Sequence, residues 1–109
     1  PFDEDMSVDF ACFEKLVERQ VQEGIHFVVP CGTTGESVTL SSEEQLQVIR
    51  TTKSVVDGRV PVMAGVGGNN TAEVLRKLRA VEALGVDAIL SVTPYYNKPS
   101  QEGLVAHYQ

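Results

Sequence analysis

At 109 residues, with a formal charge of −6 and a pI near 4.8, the chain offers no basic face for a nucleic acid. Its 42% hydrophobic content can build a core, yet no run approaches the roughly 20 apolar residues of a membrane span. Cys12 and Cys31 lack any CxxC or zinc-ligand spacing, so they read as reduced, cytosolic thiols packed as small apolar groups. No basic, apolar leader opens the chain. It begins at Pro1 and not at Met, which leaves an upstream leader, a plastid one included, an open matter.

Phe10, Phe13, Val17 and Val21 recur at helical spacing and predict an amphipathic helix. Ser7 is the expected N-cap, and Gly24 suits the left-handed position after its end. A short strand is expected over 25–31, running through His26-Phe27-Val28-Val29-Pro30. It leads into Cys31-Gly32-Thr33-Thr34-Gly35-Glu36-Ser37, where two glycines bracket two adjacent hydroxyls. Glycine lets a backbone turn sharply and approach a ligand, and threonine sets a hydroxyl beside its own N–H. Such a loop suits a small carboxylate or the passage of a proton.

Ser41 and Glu44 form a capping box, and Leu46, Ile49 and Val56 carry the next helix to Asp57-Gly58. Pro61–Val66 is a second buried strand, closing in Gly67-Gly68-Asn69-Asn70. Asn70 and Glu73 read as the next cap, and Val74, Leu75, Leu78 and Val81 take that helix to Gly85. Val86–Val92 is a third strand. Thr93-Pro94-Tyr95-Tyr96-Asn97-Lys98-Pro99 follows, and Ser100 caps a helix still running at Gln109.

Near-continuous apolar strands alternating with helices imply right-handed βαβ units on a parallel sheet. Doubly wound sheets and (β/α)8 barrels both fit this period. In both, ligands bind at the carboxyl ends of the strands, where Gly-Thr-Thr-Gly, Gly-Gly-Asn-Asn and Thr-Pro-Tyr-Tyr all fall. A half-barrel leaves edges unpaired and apolar faces uncovered. Residues 1–109 are therefore expected to be part of a longer protein, with a first strand before Pro1 and further strands after Gln109.

The order and spacing of Gly32–Ser37, Pro61–Gly67, Asn69–Glu73 and Thr93–Pro99 strongly resemble the dihydrodipicolinate (4-hydroxy-tetrahydrodipicolinate) synthase family, of the N-acetylneuraminate lyase and class I aldolase superfamily. The resemblance covers essentially the whole chain. It implies the N-terminal part of a (β/α)8 TIM barrel. It also implies an enzyme in which a lysine amine attacks the ketone of pyruvate, and the enamine adds to aspartate 4-semialdehyde. The product cyclises to 4-hydroxy-tetrahydrodipicolinate, toward diaminopimelate and lysine. No cofactor and no metal are implied.

By that resemblance Thr33 belongs to a tyrosine–threonine–tyrosine proton relay and contacts substrate. Thr34 holds the pyruvate carboxylate, and Tyr96 reaches across an interface into a partner's active site. A homo-oligomer, dimer or dimer of dimers, is implied. Residues matching an inhibitory lysine site are Ser37, Val38, Gly67, Asn69, Glu73 and Tyr95. Strongly inhibited members carry histidines where this chain has Ser42 and Gln45. None of Lys15, Lys53, Lys77 and Lys98 matches the Schiff-base lysine; the first three read as solvated helix residues. That lysine, the second relay tyrosine and a substrate arginine are expected beyond Gln109, leaving the chain alone inactive.

Plainer readings stand beside these. Thr33 and Thr34 also suit an ordinary turn, Tyr95 and Tyr96 any aromatic interface, and Asn69-Asn70 a turn and helix cap. Glu36 reads as a brace for its loop, and His26 and His107 as isolated structural residues. Two other functions remain in play: a sialate or keto-deoxy-sugar-acid aldolase of the same superfamily, and a non-catalytic, flavodoxin-like module holding an anion.

Overall fold

The computed structural model describes residues 1–109 throughout. Its helices are α1 (Phe10–Gln22), α2 (Ser42–Val56), α3 (Thr71–Glu82) and α4 (Gln101–Tyr108). The strands are β1 (Met63–Gly65) and β2 (Ala88–Leu90), and a 3-10 turn spans Ser37–Thr39. No helix is long and apolar enough to cross a membrane.

Most helix ends obey their local chemistry. Ser41 Oγ accepts from the Glu44 N–H (3.2 Å) while Glu44 Oε2 accepts from the Ser41 N–H (2.7 Å), the reciprocal box expected. The Ser41 N–H holds the Glu44 carboxyl below its ordinary range. Asp57 (φ +47°) and Gly58 (φ +72°) turn the chain out of α2. Ser100 Oγ caps α4 through the Gly103 N–H at 3.2 Å.

Two caps differ from expectation. Asp9, not Ser7, starts α1, its Oδ1 accepting from the Cys12 N–H at 2.8 Å. Val8 is held extended in an antiparallel bridge to Phe2, so the helix cannot begin before it. Ser7 instead donates its amide and hydroxyl to Asp5 Oδ1. At α3, Asn70 Oδ1 accepts from the N–H groups of Ala72 and Glu73 (3.2 and 3.4 Å), but Glu73 does not reciprocate. Its carboxylate pairs with Arg76, its neighbour one turn along the same face.

Two of the three expected strands are present but shorter, and the one expected over 25–31 is reduced to an isolated bridge. β1 and β2 pair in parallel with Met63 opposite Ala88, Ala64 opposite Ile89 and Gly65 opposite Leu90. Segment 25–31 contributes a single parallel bridge, Val28 to Val62. Its hydrogen bonds are Val28 N–H to Pro61 O (3.1 Å), Met63 N–H to Val28 O (2.9 Å) and Gly65 N–H to Pro30 O (2.9 Å). Only one edge of this segment has a neighbour, and Pro30 has no N–H to extend the ladder. The order across the sheet is 28–30, β1, β2, all parallel.

The core lies between this sheet and the helices. Cys31, Ala64 and Val66 meet Val48 and Ile49 of α2 and Val81 of α3, and a second cluster joins Val17, Val56 and Val62. Asp87 ties β2 to its neighbours, its Oδ2 accepting from the Val62 N–H (2.8 Å) and from Lys53 Nζ (3.4 Å). Arg59 clamps Glu18 with two bonds (2.9 and 2.5 Å) while also donating to the carbonyls of Val55 and Val56. That guanidinium pulls the Glu18 carboxyl down to about 2.

The other face of the sheet is bare. Phe27, Val29, Leu90 and Val92, alternating with the more covered Val28, Ile89 and Ser91, are each more than a third exposed. A groove of about 440 Å³ runs between α1 and segment 25–30, lined by Phe13, Leu16, Val17, Ile25 and Phe27. None of its lining residues belongs to the loops beyond the strand ends. Only 12 of 109 residues are buried, far fewer than an independent domain of this length sequesters.

Candidate functional site

Three loops leave the carboxyl edge of the sheet: 31–37 after the edge segment, 67–70 after β1 and 93–99 after β2. The first is a run of tight turns. Gly35 N–H donates to Gly32 O (3.0 Å), Glu36 N–H to Thr33 O (3.1 Å) and Thr39 N–H to Glu36 O (2.9 Å). The left-handed residues are Cys31 (φ +59°) and Glu36 (φ +53°), not the two glycines. Gly35 serves by its small size instead, since a Cβ there would sit 3.3 Å from Gly32 O.

Glu36 braces the loop through its backbone, its carbonyl accepting from the amide and the hydroxyl of Thr39. Cys31 is structural. Its Sγ donates to Gln45 O at 3.7 Å, and burial pushes the thiol up to about 11 against the opposing pull of Lys77. A thiol at that value is protonated at neutral pH and a poor nucleophile.

Thr33 and Thr34 are exposed on this rim. Their hydroxyls make no hydrogen bond within the chain, whereas that of Thr39 is engaged. Tyr96 is 93% exposed and equally unengaged, whereas the Tyr108 hydroxyl donates to Ser91 O (3.4 Å). The structure thus sets Thr33, Thr34 and Tyr96 on one edge without a direct bond between the two loops.

Ser37, Val38, Gly67, Asn69, Glu73 and Tyr95 are spread over the three loops, the 3-10 turn that follows the first, and the start of α3. Ser37 O accepts from Gln45 Nε2 (2.7 Å), and Asn69 O accepts from Asn97 Nδ2 (3.2 Å). Val38 is 81% exposed and Tyr95 half exposed. The Glu73 carboxylate, engaged by Arg76, is less free to meet an ammonium than its sequence position suggests.

The lysines differ in part from expectation. Lys15 and Lys98 are exposed, but Lys53 and Lys77 are half-buried and paired, with Asp87 and with Gln45 Oε1 (3.3 Å). Their long stems cover apolar surface while the ammonium finds a partner. None of the four ammonium groups hydrogen-bonds to a residue of the three loops. His26 is exposed, and His107 Nδ1 lies 2.8 Å from Thr71 Oγ1, tying α4 to α3.

Gly65 and Asn97 were not singled out by sequence, and Gln45 only as a position where strongly inhibited relatives carry histidine. A Cβ on Gly65 would lie 2.0 Å from Cys31 O, so glycine alone lets the first loop start against β1. A lone glycine inside a strand is the signal that finds such a position. Gln45 spends both amide hydrogens on the carbonyls of Ser37 and Leu40. No sequence pattern marks that role.

The helix-backed parallel segments, with their loops gathered at the carboxyl edge, define an α/β scaffold of the βαβ kind. The model of the dihydrodipicolinate synthetase family matches residues 1–109, and the chain belongs to that family. A 4-hydroxy-tetrahydrodipicolinate synthase of Koribacter versatilis is 56% identical over 110 residues, covering 100% of this chain and 37% of its own. The dihydrodipicolinate synthase of Acinetobacter baumannii, solved with pyruvate, superposes with a TM-score of 0.96 at 49% identity. The match covers 99% of this chain and 37% of that one. The enzyme of Cyanidioschyzon merolae, solved with lysine bound, gives 0.90 at 40% identity over 94% and 35%. The fold is thus that of a TIM barrel, of which the chain spans a little over a third of its relatives' length.

Proposed function

We propose that residues 1–109 form the N-terminal part of a 4-hydroxy-tetrahydrodipicolinate synthase, with the first strand and the later strands outside them. The reading is supported by one observation above all. In a chain matched to the family from end to end, the strand-exit loops present unengaged hydroxyls at Thr33, Thr34 and Tyr96. In this reading a lysine beyond Gln109 adds to the pyruvate ketone and loses water to give the iminium. Proton loss gives the enamine, whose carbon attacks the aldehyde of aspartate 4-semialdehyde, and the relay protonates the new alkoxide.

Thr34 holds the pyruvate carboxylate through its hydroxyl and N–H, fixing the ketone for attack. Thr33 passes the proton between tyrosines, one of them Tyr96 of a second copy, so the active unit is at least a dimer. The site needs no cofactor. Borohydride with pyruvate should label the full-length enzyme irreversibly and leave the 109-residue chain unlabelled, read by intact mass. Label on the 109-residue chain would contradict the placement of the nucleophile.

The same reading gives Ser37, Val38, Gly67, Asn69, Glu73 and Tyr95 a regulatory lysine site. Support comes from the lysine-bound relative and from the Asn97–Asn69 bond that joins two of the loops. Ser42 and Gln45 stand where histidines serve strongly inhibited members, and Gln45 is committed to Ser37 and Leu40. Inhibition of the full-length enzyme is therefore expected to be weak, with half-inhibition in the millimolar range, where binding is worth about 4 kcal/mol. Micromolar inhibition in a steady-state assay would refute this.

A further inference from the structure

Tyr96 carries a backbone conformation that its own chemistry does not favour. Its φ is +70°, a region that bulky residues rarely enter unless the surroundings impose it. It is the middle residue of a three-residue turn, closed by the Asn97 N–H donating to Tyr95 O at 2.9 Å. The positive-φ form of this turn is rare because it is strained. Lys98, on the other side of Asn97, is also left-handed at φ +44°. A strained tip needs an anchor.

The side chains of Tyr95, Tyr96 and Lys98 make no hydrogen bond within the chain. That of Asn97 makes one, and its backbone adds a second. Its N–H closes the turn, and its Nδ2 donates to Asn69 O (3.2 Å) on the loop after β1. One residue therefore shapes the tip and fastens it to the adjacent loop.

We infer that Asn97 is a positioning residue, whose carboxamide holds Tyr96 in its left-handed conformation and so fixes where the phenol leaves the rim. The inference rests on the reading above, in which that phenol takes part in proton transfer. Loss of the anchor frees the tip to relax toward negative φ, swinging the phenol away. Such misplacement lowers the rate of the chemical step and leaves pyruvate binding, which uses Thr34, largely intact.

The test is a double-mutant cycle in the full-length enzyme. Asn97→Ala should lower kcat about tenfold with the pyruvate KM little changed, as expected for a displaced catalytic group. Tyr96→Phe should lower kcat by about 100-fold, and the double variant should be no slower than Tyr96→Phe alone. Asn97→Asp, which keeps the shape but loses the donor, should match Asn97→Ala. Multiplying effects, or wild-type turnover in Asn97→Ala, would overturn the inference. A crystal structure of Asn97→Ala tests the same point without relying on activity: Tyr96 should leave positive φ, and retention of +70° overturns the assignment. If Tyr96→Phe keeps full activity, the catalytic reading of Tyr96 falls, and the positioning role is decided by that φ alone.

Discussion

Gly65→Ala in the full-length protein is expected to abolish a stable fold. The added Cβ would lie 2.0 Å from Cys31 O, 2.5 Å from its carbonyl carbon and 2.9 Å from the Gly32 nitrogen. All three are backbone atoms, so no side chain can swing aside. Relief requires β1 and segment 28–31 to separate, which breaks the Gly65 N–H to Pro30 O bond and drags Cys31 out of its cluster with Val48 and Ile49. Overpacking of an ordinary core site costs about 1–3 kcal/mol. A clash with backbone on a central strand belongs at or above the top of that range, against a total stability of about 5–15 kcal/mol. Gly58→Ala is the control: φ is +72° there, but nothing lies within 4 Å, so only about 1–2 kcal/mol of left-handed strain applies. The comparison is read as soluble yield and denaturation midpoint. If Gly65→Ala is no less stable than Gly58→Ala, the close approach of the first loop to β1 is wrong.

The same pair of glycines shows what a sequence can disclose. Gly58 follows Asp57 at the end of an apolar helical face, and local chemistry alone places it. The capping box of Ser41 and Glu44, the Asn70 cap and the left-handed Gly24 were legible for the same reason. They depend on neighbours within four residues. Gly65 depends on Cys31, far away along the chain, and periodicity contains no term for that. Strand lengths failed likewise. The apolar runs 25–31, 61–66 and 86–92 mark where strands lie, but ladder length is set by the partner, and segment 25–31 has a partner on one edge only.

The candidate site divides in the same way. Thr33, Thr34 and Tyr96 are candidates because their motifs resemble a family's, and their place after apolar runs predicts the exposed loops beyond the sheet on which they lie. The division of backbone labour was not legible. Cys31 and Glu36 take the left-handed positions, where Gly32 and Gly35 were the natural candidates. Glu73 seemed a capping residue until Arg76, on the same helical face, claimed its carboxylate. Asn97 read only as a loop residue, because its bond to Asn69 O joins loops after different strands. In each case the deciding contact is either non-local or one of several local options with similar energies.

Thr33→Val in the full-length enzyme should lower kcat by about 100-fold or more, the range for losing a positioned proton-transfer group. Valine keeps the β-branched shape and removes only the hydroxyl. The loop should hold, because its bonds at this residue are backbone: Thr33 O accepts from the Glu36 N–H at 3.1 Å. The hydroxyl itself has no partner within the chain, so its loss leaves no buried polar atom stranded and little stability should change. A group that acts mainly while the proton moves contributes to the transition state and not to ground-state binding. The pyruvate KM should accordingly stay within about threefold. Thr34→Val should show the opposite split, a raised pyruvate KM with a smaller change in kcat, because its proposed contacts form as the carboxylate binds. A purely higher KM for Thr33→Val would exchange the two roles and remove Thr33 from the relay.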